Sequence, residues 1–243
     1  VTATRQDSPR CEHAARAEGA GAFRHLSGAF AVALVFAQER RVLLATDRLG
    51  MVPLFHAARG GTLAFATDLR RLLACGILAP VVDPQSIYDY SFFAMIPAPR
   101  TAFLGYERLT PGTALEWRAG TGALRSYWRA HYDNENGSRP GPRAEVERDF
   151  RDRLRSGVAR QIGARGARIG CFLSGGTDSS TVAGMLREVT GEPPRTYSIG
   201  FDEPGFDEME FARCAARHFA ADHHEYYVTS ADVRAVIDEI AAE

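Results

Sequence analysis

The stretch Ser174-Gly-Gly-Thr-Asp-Ser-Ser180 decides the fold class of the second half of this chain. A short apolar run at 169–173 precedes it, and apolar residues follow it at the helical spacing 182, 185, 186 and 189. This order predicts a strand, a tight turn and the start of a helix. Gly175 and Gly176 permit positive φ and close backbone approach, so turn amides and first-turn N–H groups can point at one spot. The sequence therefore predicts an anion site at this helix N-terminus.

Polar side chains in the same stretch suit a phosphate ligand. The hydroxyls of Ser174, Ser179 and Ser180 can donate hydrogen bonds, and the Asp178 carboxylate can hold a divalent cation, Mg²⁺, that neutralises phosphate oxygens. The simpler interpretation is a glycine turn followed by a capped helix. The strand before and the helix after favour a phosphate loop, and the stretch lacks the Gly-Lys-Ser/Thr ending of an ordinary P-loop.

Composition and charge exclude several classes of protein. The 243 residues are 45% hydrophobic and 24% charged, which is typical of globular domains. The formal net charge is −1 with no long basic block, so we expect no nucleic-acid partner. No apolar run reaches the roughly 18 residues of a membrane span, and residues 1–7 are unlike a secretory signal. The four cysteines show no paired short spacing, which favours the reducing cytoplasm.

Residues 131–142, a polar stretch rich in Gly and Pro, are interpreted as a linker between two halves with different hydrophobic periods. Residues 1–130 show mainly β patterns, which predict an α+β domain around an antiparallel sheet. Its predicted strands are 29–36, 41–46, 63–66, 113–117 and 124–128, and its predicted helices are 69–75 and 84–92, the second capped by Asp83. Two hairpins are predicted, one joining 29–36 to 41–46 through a charged turn and one ending in 63–66 after the glycine turn at 60–61. Asp47-Arg48 is interpreted as a structural ion pair.

Residues 143–243 alternate between helix and strand patterns, so the overall fold class is α/β. After an amphipathic helix at 143–161 come predicted strands at 168–173, 195–200 and 224–228 and predicted helices at 179–189, 207–219 and 230–241. Asp207 and Glu210 are predicted to form a capping box. This alternation predicts βαβ units and a parallel sheet, with ligands beyond the carboxyl ends of the strands, where the glycine stretch falls. Because the pattern supplies three strands, the domain is expected to be truncated.

The glycine stretch, Ser-Gly-Gly-x-Asp-Ser, resembles the pyrophosphate loop of enzymes that cleave ATP between its α- and β-phosphates. Together with 196–208 and 222–225 it resembles the synthetase domain of the asparagine synthetase (glutamine-hydrolysing) family. Segments of the first half resemble that family's glutaminase domain in the same order, at 28–34, 47–55, 63–69, 97–101, 109–112 and 127–128. The resemblance implies a partial class II glutamine amidotransferase-like domain of the Ntn type at 1–130. It implies the N-terminal part of an ATP-binding synthetase domain, of the adenine nucleotide α-hydrolase type, at 143–243.

The resemblance also implies a reaction. In the family, Mg-ATP adenylates a carboxylate such as aspartate, and ammonia that an N-terminal cysteine releases from glutamine forms the amide. ATP contacts carry over to Leu173, Ser174, Gly175, Gly176, Asp178, Ser179, Ser180 and Ile199, with Asp178 holding Mg²⁺ through the pyrophosphate. Leu173 and Ile199 would contact the adenosine, and by pattern alone both are equally the ends of buried strands. The chain begins at Val1, so no catalytic residue is assigned and no glutamine hydrolysis is expected.

Three functions remain open at this point. The first is ATP-dependent amide formation, asparagine synthesis in the parent enzyme, with the activity of the truncated chain itself unassigned. The second is a β-lactam or peptide macrolactam synthetase, which keeps this layout without needing glutamine. The third is a noncatalytic nucleotide-binding module. All imply small-molecule ligands, and the exposed edge of a truncated sheet is compatible with a homodimer. His223-His224 is not interpreted as a metal site, because neighbours on a strand point to opposite faces.

Overall fold

The computed structural model of the chain describes residues 8–131, 141–163, 169–201 and 207–242. The chain divides into two compact units, Val1–Asp133 and Asn134–Glu243, and each unit is described by itself. The predicted linker at 131–142 lies mostly outside the described residues. In the part of the chain that the structure describes, no helix is both long and apolar enough to cross a lipid bilayer.

The first unit is built from two antiparallel sheets. Its strands are β1 (Ala31–Phe36), β2 (Arg41–Thr46), β3 (Phe55–Arg59), β4 (Thr62–Ala66), β5 (Tyr106–Arg108), β6 (Thr113–Arg118) and β7 (Thr121–Ser126). One sheet has the order β1-β2-β6-β7 and the other the order β4-β3-β5. Its α-helices are α1 (Ser8–Glu18), α2 (Leu69–Ala74) and α3 (Pro84–Phe93). Short 3₁₀ helices at Gly19–His25 and Ala37–Glu39 complete the unit.

The structure confirms the two predicted hairpins and the Asp83 cap. β1 pairs with β2 from Ala31 opposite Thr46 onward, and the Asp83 carboxylate accepts a hydrogen bond from the Gln85 N–H at 3.1 Å. The strand predicted at 124–128 is placed too late along the chain. β7 ends at Ser126, because the N–H groups of the next two residues bond to the Gly112 carbonyl rather than continuing the ladder. Helix α1 and strand β5 were not predicted, and no bounds were predicted for β3, the hairpin partner of the 63–66 strand, since none of these segments has a clear apolar period.

Asp47 is the polar centre of the first unit. The residue is 3% exposed, and its two carboxylate oxygens accept hydrogen bonds from the backbone N–H groups of Phe30, Leu49, Met51 and Val52 at 3.0–3.2 Å. Burial by itself would raise the Asp47 pKa, but these four donors outweigh it and hold the pKa below its usual value.

The prediction of an Asp47–Arg48 ion pair is therefore wrong, because the two side chains bind other groups. The Asp47 carboxylate binds backbone donors, and the Arg48 guanidinium donates instead to the Arg24 carbonyl at 2.9 Å. Adjacency in sequence does not make two side chains partners here, because the turn after β2 wraps its own N–H groups around the carboxylate. Asp47 thus fixes the 47–52 turn to the start of β1.

The second unit contains the predicted parallel sheet. Its strands β8 (Gly170–Phe172), β9 (Arg195–Phe201) and β10 (Asp222–Val228) lie in the order β10-β9-β8 and all pair in parallel. Its helices are α4 (Arg143–Ile162), α5 (Thr177–Thr190), α6 (Met209–His218) and α7 (Ser230–Ala242). With antiparallel sheets in the first unit and a parallel sheet in the second, the mixed α/β class is confirmed.

One face of the parallel sheet packs against α5 and α6. A buried cluster joins the end of β8 to these helices through Leu173, Ala183, Met209, Ala212 and Ala216. Along β9 the residues alternate between buried and exposed, as expected for a strand with one covered face. The side chains of the other face are exposed: Phe172, Tyr197, Ile199, Phe201 and Tyr226.

Two local predictions in this unit need correction. The capping box is wrong, because α6 begins at Met209 and the Asp207 carboxylate accepts from the Met209 N–H at 3.2 Å. The apolar stripe of α4 is buried only toward its C-terminal end, where Ile162 is 8% exposed, whereas Phe150 is 63% exposed. A helical period identifies a face that can be buried, but the neighbouring elements decide how much of that face is covered.

Candidate functional site

The glycine stretch forms the connection between β8 and α5. Leu173 still belongs to the sheet, since its N–H donates to the Tyr197 carbonyl at 2.9 Å. Gly175 then takes φ +81°, a left-handed conformation that favours glycine. A Cβ atom at this position would lie 2.4 Å from the backbone carbonyl carbon of Phe211. Only glycine fits, because the turn leans directly on the first turn of α6.

Two of the three serines of the stretch, Ser174 and Ser179, hold the turn closed. The hydroxyl oxygens of Ser174 and Ser179 are 3.0 Å apart, and the Ser174 N–H donates to the Ser179 hydroxyl at 3.2 Å. The Ser179 hydroxyl in turn donates to the Gly176 carbonyl at 3.2 Å. The structure therefore brings together Ser174, Gly176 and Ser179, which are three of the predicted site residues.

Helix α5 begins without a side-chain cap. Its N-cap residue is Gly176, which has no side chain to accept the hydrogen bonds of the first-turn N–H groups. The only acidic residue of that first turn is Asp178, whose side chain is exposed. Uncapped N–H groups and the positive end of the helix dipole together favour an anion at this point.

A small pocket adjoins the loop at the carboxyl ends of β8 and β9. Its volume is about 70 Å³, and its walls are Leu173, Ser174, Ser198, Ile199, Phe201, Glu208, Met209 and Ala212. Leu173 is 1% exposed and belongs to the core, whereas Ile199 is 54% exposed. Leu173 is therefore the end of a buried strand, and the same interpretation of Ile199 is wrong, because its side chain stands on the uncovered face of the sheet.

Ser180 lies apart from the other hydroxyls. Together with Thr177 and Thr181 it lines a separate open cleft of about 730 Å³, whose walls come mainly from α5, with Arg151 of α4 and the residues at the end of α6. In the α-helix a one-residue step turns the side chain by about 100°, which carries Ser180 away from Ser179. Of the predicted hydroxyl donors, Ser180 is the one that the structure does not place beside the loop.

The donors for a cation are few. Among the described residues no group of three or more His, Cys, Asp and Glu side chains is placed to hold a metal ion. The residue that fits Mg²⁺ is Asp178, one carboxylate next to the anion position. Mg²⁺ commonly binds through one or two carboxylates plus substrate phosphates, so a cation here would arrive with the phosphate ligand.

Sequence reasoning missed the opposite wall of the site. Met209, Phe211 and Ala212 of α6 bound the pocket or touch the glycine turn. Their helical pattern was visible, but it carries no signal about which face meets the loop. The one available hint was the glycine itself, since a required glycine indicates that another part of the chain approaches closely.

Comparison with known protein families assigns both units. Residues 3–128 match the family model of the glutamine amidotransferase domain, and residues 149–242 match that of asparagine synthase. The class is therefore that of proteins joining an amidotransferase domain to a synthase domain. This chain belongs to the asparagine synthetase family.

Individual relatives are similar over most of this chain. A putative asparagine synthetase [glutamine-hydrolyzing] 2 from Methanocaldococcus jannaschii is 26% identical over 226 residues, which cover 89% of this chain and 42% of the relative. The amidase chyE of Penicillium rubens is 29% identical over 215 residues, 82% of this chain and 31% of the relative. The chain thus spans less than half the length of either relative.

A solved structure is also similar, though weakly. It is a glutamine phosphoribosylpyrophosphate amidotransferase from B. subtilis, complexed with ADP and GMP. The sequence identity is 15% and the TM-score is 0.31, with 93% of this chain and 56% of that chain covered. A likeness this low supports no conclusion about the function of this chain.

Proposed function

We propose that this chain binds Mg-ATP at the Ser174–Ser180 stretch and forms part of an enzyme that makes an amide bond by adenylating a carboxylate. The observation that carries the proposal is the uncapped N-terminus of α5 behind a glycine turn at the carboxyl end of a parallel strand. Membership of the asparagine synthetase family supports a ligase-type enzyme that uses ATP. Asparagine synthesis from aspartate, with nitrogen from glutamine or ammonia, is the reaction we propose for the complete enzyme.

We propose a division into two domains on the same grounds. Residues 1–130 are proposed to be a class II glutamine amidotransferase-like domain of the Ntn type, and 143–243 a part of a synthetase domain of the adenine nucleotide α-hydrolase type. The two compact units and the two family matches, 3–128 and 149–242, support this plan.

The residues of the loop have distinct roles in the proposed reaction. The amides of the glycine turn and the first turn of α5 bind the β- and γ-phosphates, and Ser174 and Ser179 add hydroxyl donors. These groups are fixed before the reaction, so they stabilise the negative charge of the leaving pyrophosphate without reorganising. When Mg²⁺ is bound, it neutralises phosphate oxygens, and Asp178 is the side chain that would hold it. Ile199 and the backbone of Leu173 face the adenosine in this proposal.

A second candidate is an amide-forming enzyme with another acceptor, such as a β-lactam or peptide macrolactam synthetase. The observation behind it is that relatives of comparable identity are not all named asparagine synthetases, since one is named an amidase. The acceptor carboxylate separates the two candidates, since both use the same ATP loop.

Release of pyrophosphate from ATP tests the reaction class. The protein containing this chain is supplied with Mg-ATP and ammonia, with and without aspartate. Release that depends on aspartate, together with asparagine formation, supports asparagine synthesis. Release that depends only on other carboxylates supports the second candidate. ATP binding without any carboxylate-dependent release contradicts both and identifies a noncatalytic nucleotide-binding module.

Replacing Asp178 by alanine tests the phosphate loop itself. We expect Asp178→Ala to weaken binding of Mg-ATP by about 1–3 kcal/mol, because a charged partner of the bound cation is lost. Isothermal titration calorimetry measures this change. Asp238→Ala is the matched control, since Asp238 is an exposed carboxylate on α7. Equal affinities for Asp178→Ala and the unmodified chain would rule out the assigned role of Asp178.

A further inference from the structure

The position of α6 controls the space available to the glycine turn. A Cβ on Gly175 would lie 2.4 Å from Phe211 and 2.5 Å from the Ala212 nitrogen, so loop and helix are already in contact. Met209, two residues before Phe211, lines the adjoining pocket together with Ser174. A small displacement of the first turn of α6 therefore changes the loop, since close-packed interiors transmit shifts.

The N-terminus of α6 is held weakly by its own cap. Glu208 is the N-cap residue and makes no side-chain capping bond. The apolar face of the helix packs on the sheet through Met209, Ala212 and Ala216. Apolar packing is not directional, so directional polar contacts are needed in addition to fix the position of α6.

Arg213 supplies such a contact to β10. Its Nε donates to Glu225 Oε1 at 2.8 Å, and its Nη2 donates to Glu225 Oε2 at 2.6 Å. Two parallel bonds of this kind fix both distance and direction between the partners. The side chains of Arg213 and Glu225 are 43% and 26% exposed, so the two-bond geometry of this pair, rather than its burial, distinguishes it from an ordinary surface ion pair.

The same network reaches the start of α6. Arg213 Nη2 also donates to the Tyr227 hydroxyl at 3.3 Å, and that hydroxyl donates to Asp207 Oδ2 at 3.3 Å. The other oxygen of Asp207 accepts from the N–H of Met209, the first residue of α6. Both the middle of the helix and its first residue are thus tied to neighbouring positions on β10.

Charges around Glu225 favour its ionised form. The hydrogen bond from Arg213 is the largest influence and holds the Glu225 pKa below its usual value. His223 Nε2 lies 3.5 Å from Glu225 Oε1 and adds to this when it is protonated. The carboxylate is therefore charged at neutral pH, where the paired geometry is needed.

We propose that Arg213 is a positioning residue for the phosphate loop: by binding Glu225 and Tyr227 it fixes the first turn of α6 against Gly175. This proposal rests on the proposed function only in that the loop is taken to bind ATP. In this proposal Arg213 does not contact ATP; it acts on the loop through α6.

The test compares Arg213→Gln with Arg195→Gln. Arg195 pairs with Asp222 at 3.2 Å and joins β9 to β10 at the amino ends of these strands, whereas the loop lies at the carboxyl end of the sheet. The control therefore removes an ion pair from the same sheet far from the loop. Amide hydrogen exchange at residues 175–179 is measured in the ligand-free chain, and Mg-ATP affinity is measured by calorimetry. We expect Arg213→Gln to speed loop exchange and weaken affinity about three- to tenfold, and Arg195→Gln to leave both unchanged.

Arg213→Lys separates positioning from charge. Lysine keeps the positive charge but has one ammonium group instead of a planar guanidinium group that can make two parallel hydrogen bonds. We therefore expect a loop exchange rate and an Mg-ATP affinity between those of Arg213→Gln and the unmodified chain. Loop exchange in Arg213→Gln equal to that of the unmodified chain overturns the proposal, and so does equally fast exchange in Arg195→Gln. If the unmodified chain does not bind Mg-ATP, the proposed function fails, and the exchange comparison alone decides the role of Arg213.

Discussion

Gly175→Ala will destabilise the second unit by about 2–5 kcal/mol, the sum of a left-handed backbone penalty and overpacking. The substituted residue must keep φ near +81°, and its Cβ must avoid the backbone of Phe211 and Ala212 at 2.4–2.5 Å. Neither neighbour can yield as a flexible side chain does, because both contacts include backbone atoms. The turn must therefore open, and we expect Mg-ATP binding to be lost at the same time. Urea unfolding followed by far-ultraviolet circular dichroism measures the stability change.

Gly191→Ala is the matched control for this prediction. Gly191 has φ +74° at the end of α5, and a Cβ there would meet nothing within 4 Å. The Gly191→Ala variant therefore measures the backbone penalty without a steric clash. We expect it to lower the free energy of unfolding by about 1 kcal/mol and to retain its affinity for Mg-ATP. Similar losses of stability for the two variants would show that contact between the loop and α6 contributes nothing.

Asp47→Ala will destabilise the first unit by about 3–5 kcal/mol. The change leaves the N–H groups of Phe30, Leu49, Met51 and Val52 without the carboxylate that now accepts all of them in a buried position. Both tryptophans of the chain, at 117 and 128, belong to this unit, so their fluorescence during urea unfolding reports on it. Asp68→Ala is the control, because Asp68 caps α2 with one bond and its loss should cost only about 1 kcal/mol.

The pH dependence of the same unit should change with Asp47. Its folded-state pKa lies below the ordinary value of 3.8, so the stability it contributes is fully present above that value and is lost as the pH falls through the folded-state pKa. We therefore expect the difference in stability between the unmodified chain and Asp47→Ala to shrink below about pH 4. A difference that stays constant from neutral pH down to pH 2 would contradict the assigned ionisation of Asp47.

Elements whose signals are local can be predicted from the amino-acid sequence. The β1–β2 hairpin, the alternation of β8, α5, β9, α6 and β10, and the glycine turn before α5 were all predicted, because hydrophobic period and turn residues act over a few positions. The same local signals place Ser174 and Ser179 in one turn, where the structure has their hydroxyls 3.0 Å apart.

The contacts between residues far apart in sequence are visible only in the folded chain. Nothing in the sequence pairs Gly175 with Phe211, Arg213 with Glu225, or Asp47 with Phe30. Nor does a strand pattern say that the sheet face carrying Ile199 is uncovered, or that half of the α4 stripe is exposed. These contacts depend on packing and hydrogen-bond geometry between segments far apart in the chain, and a period of two or 3.6 residues states which face can be buried but not what will bury it.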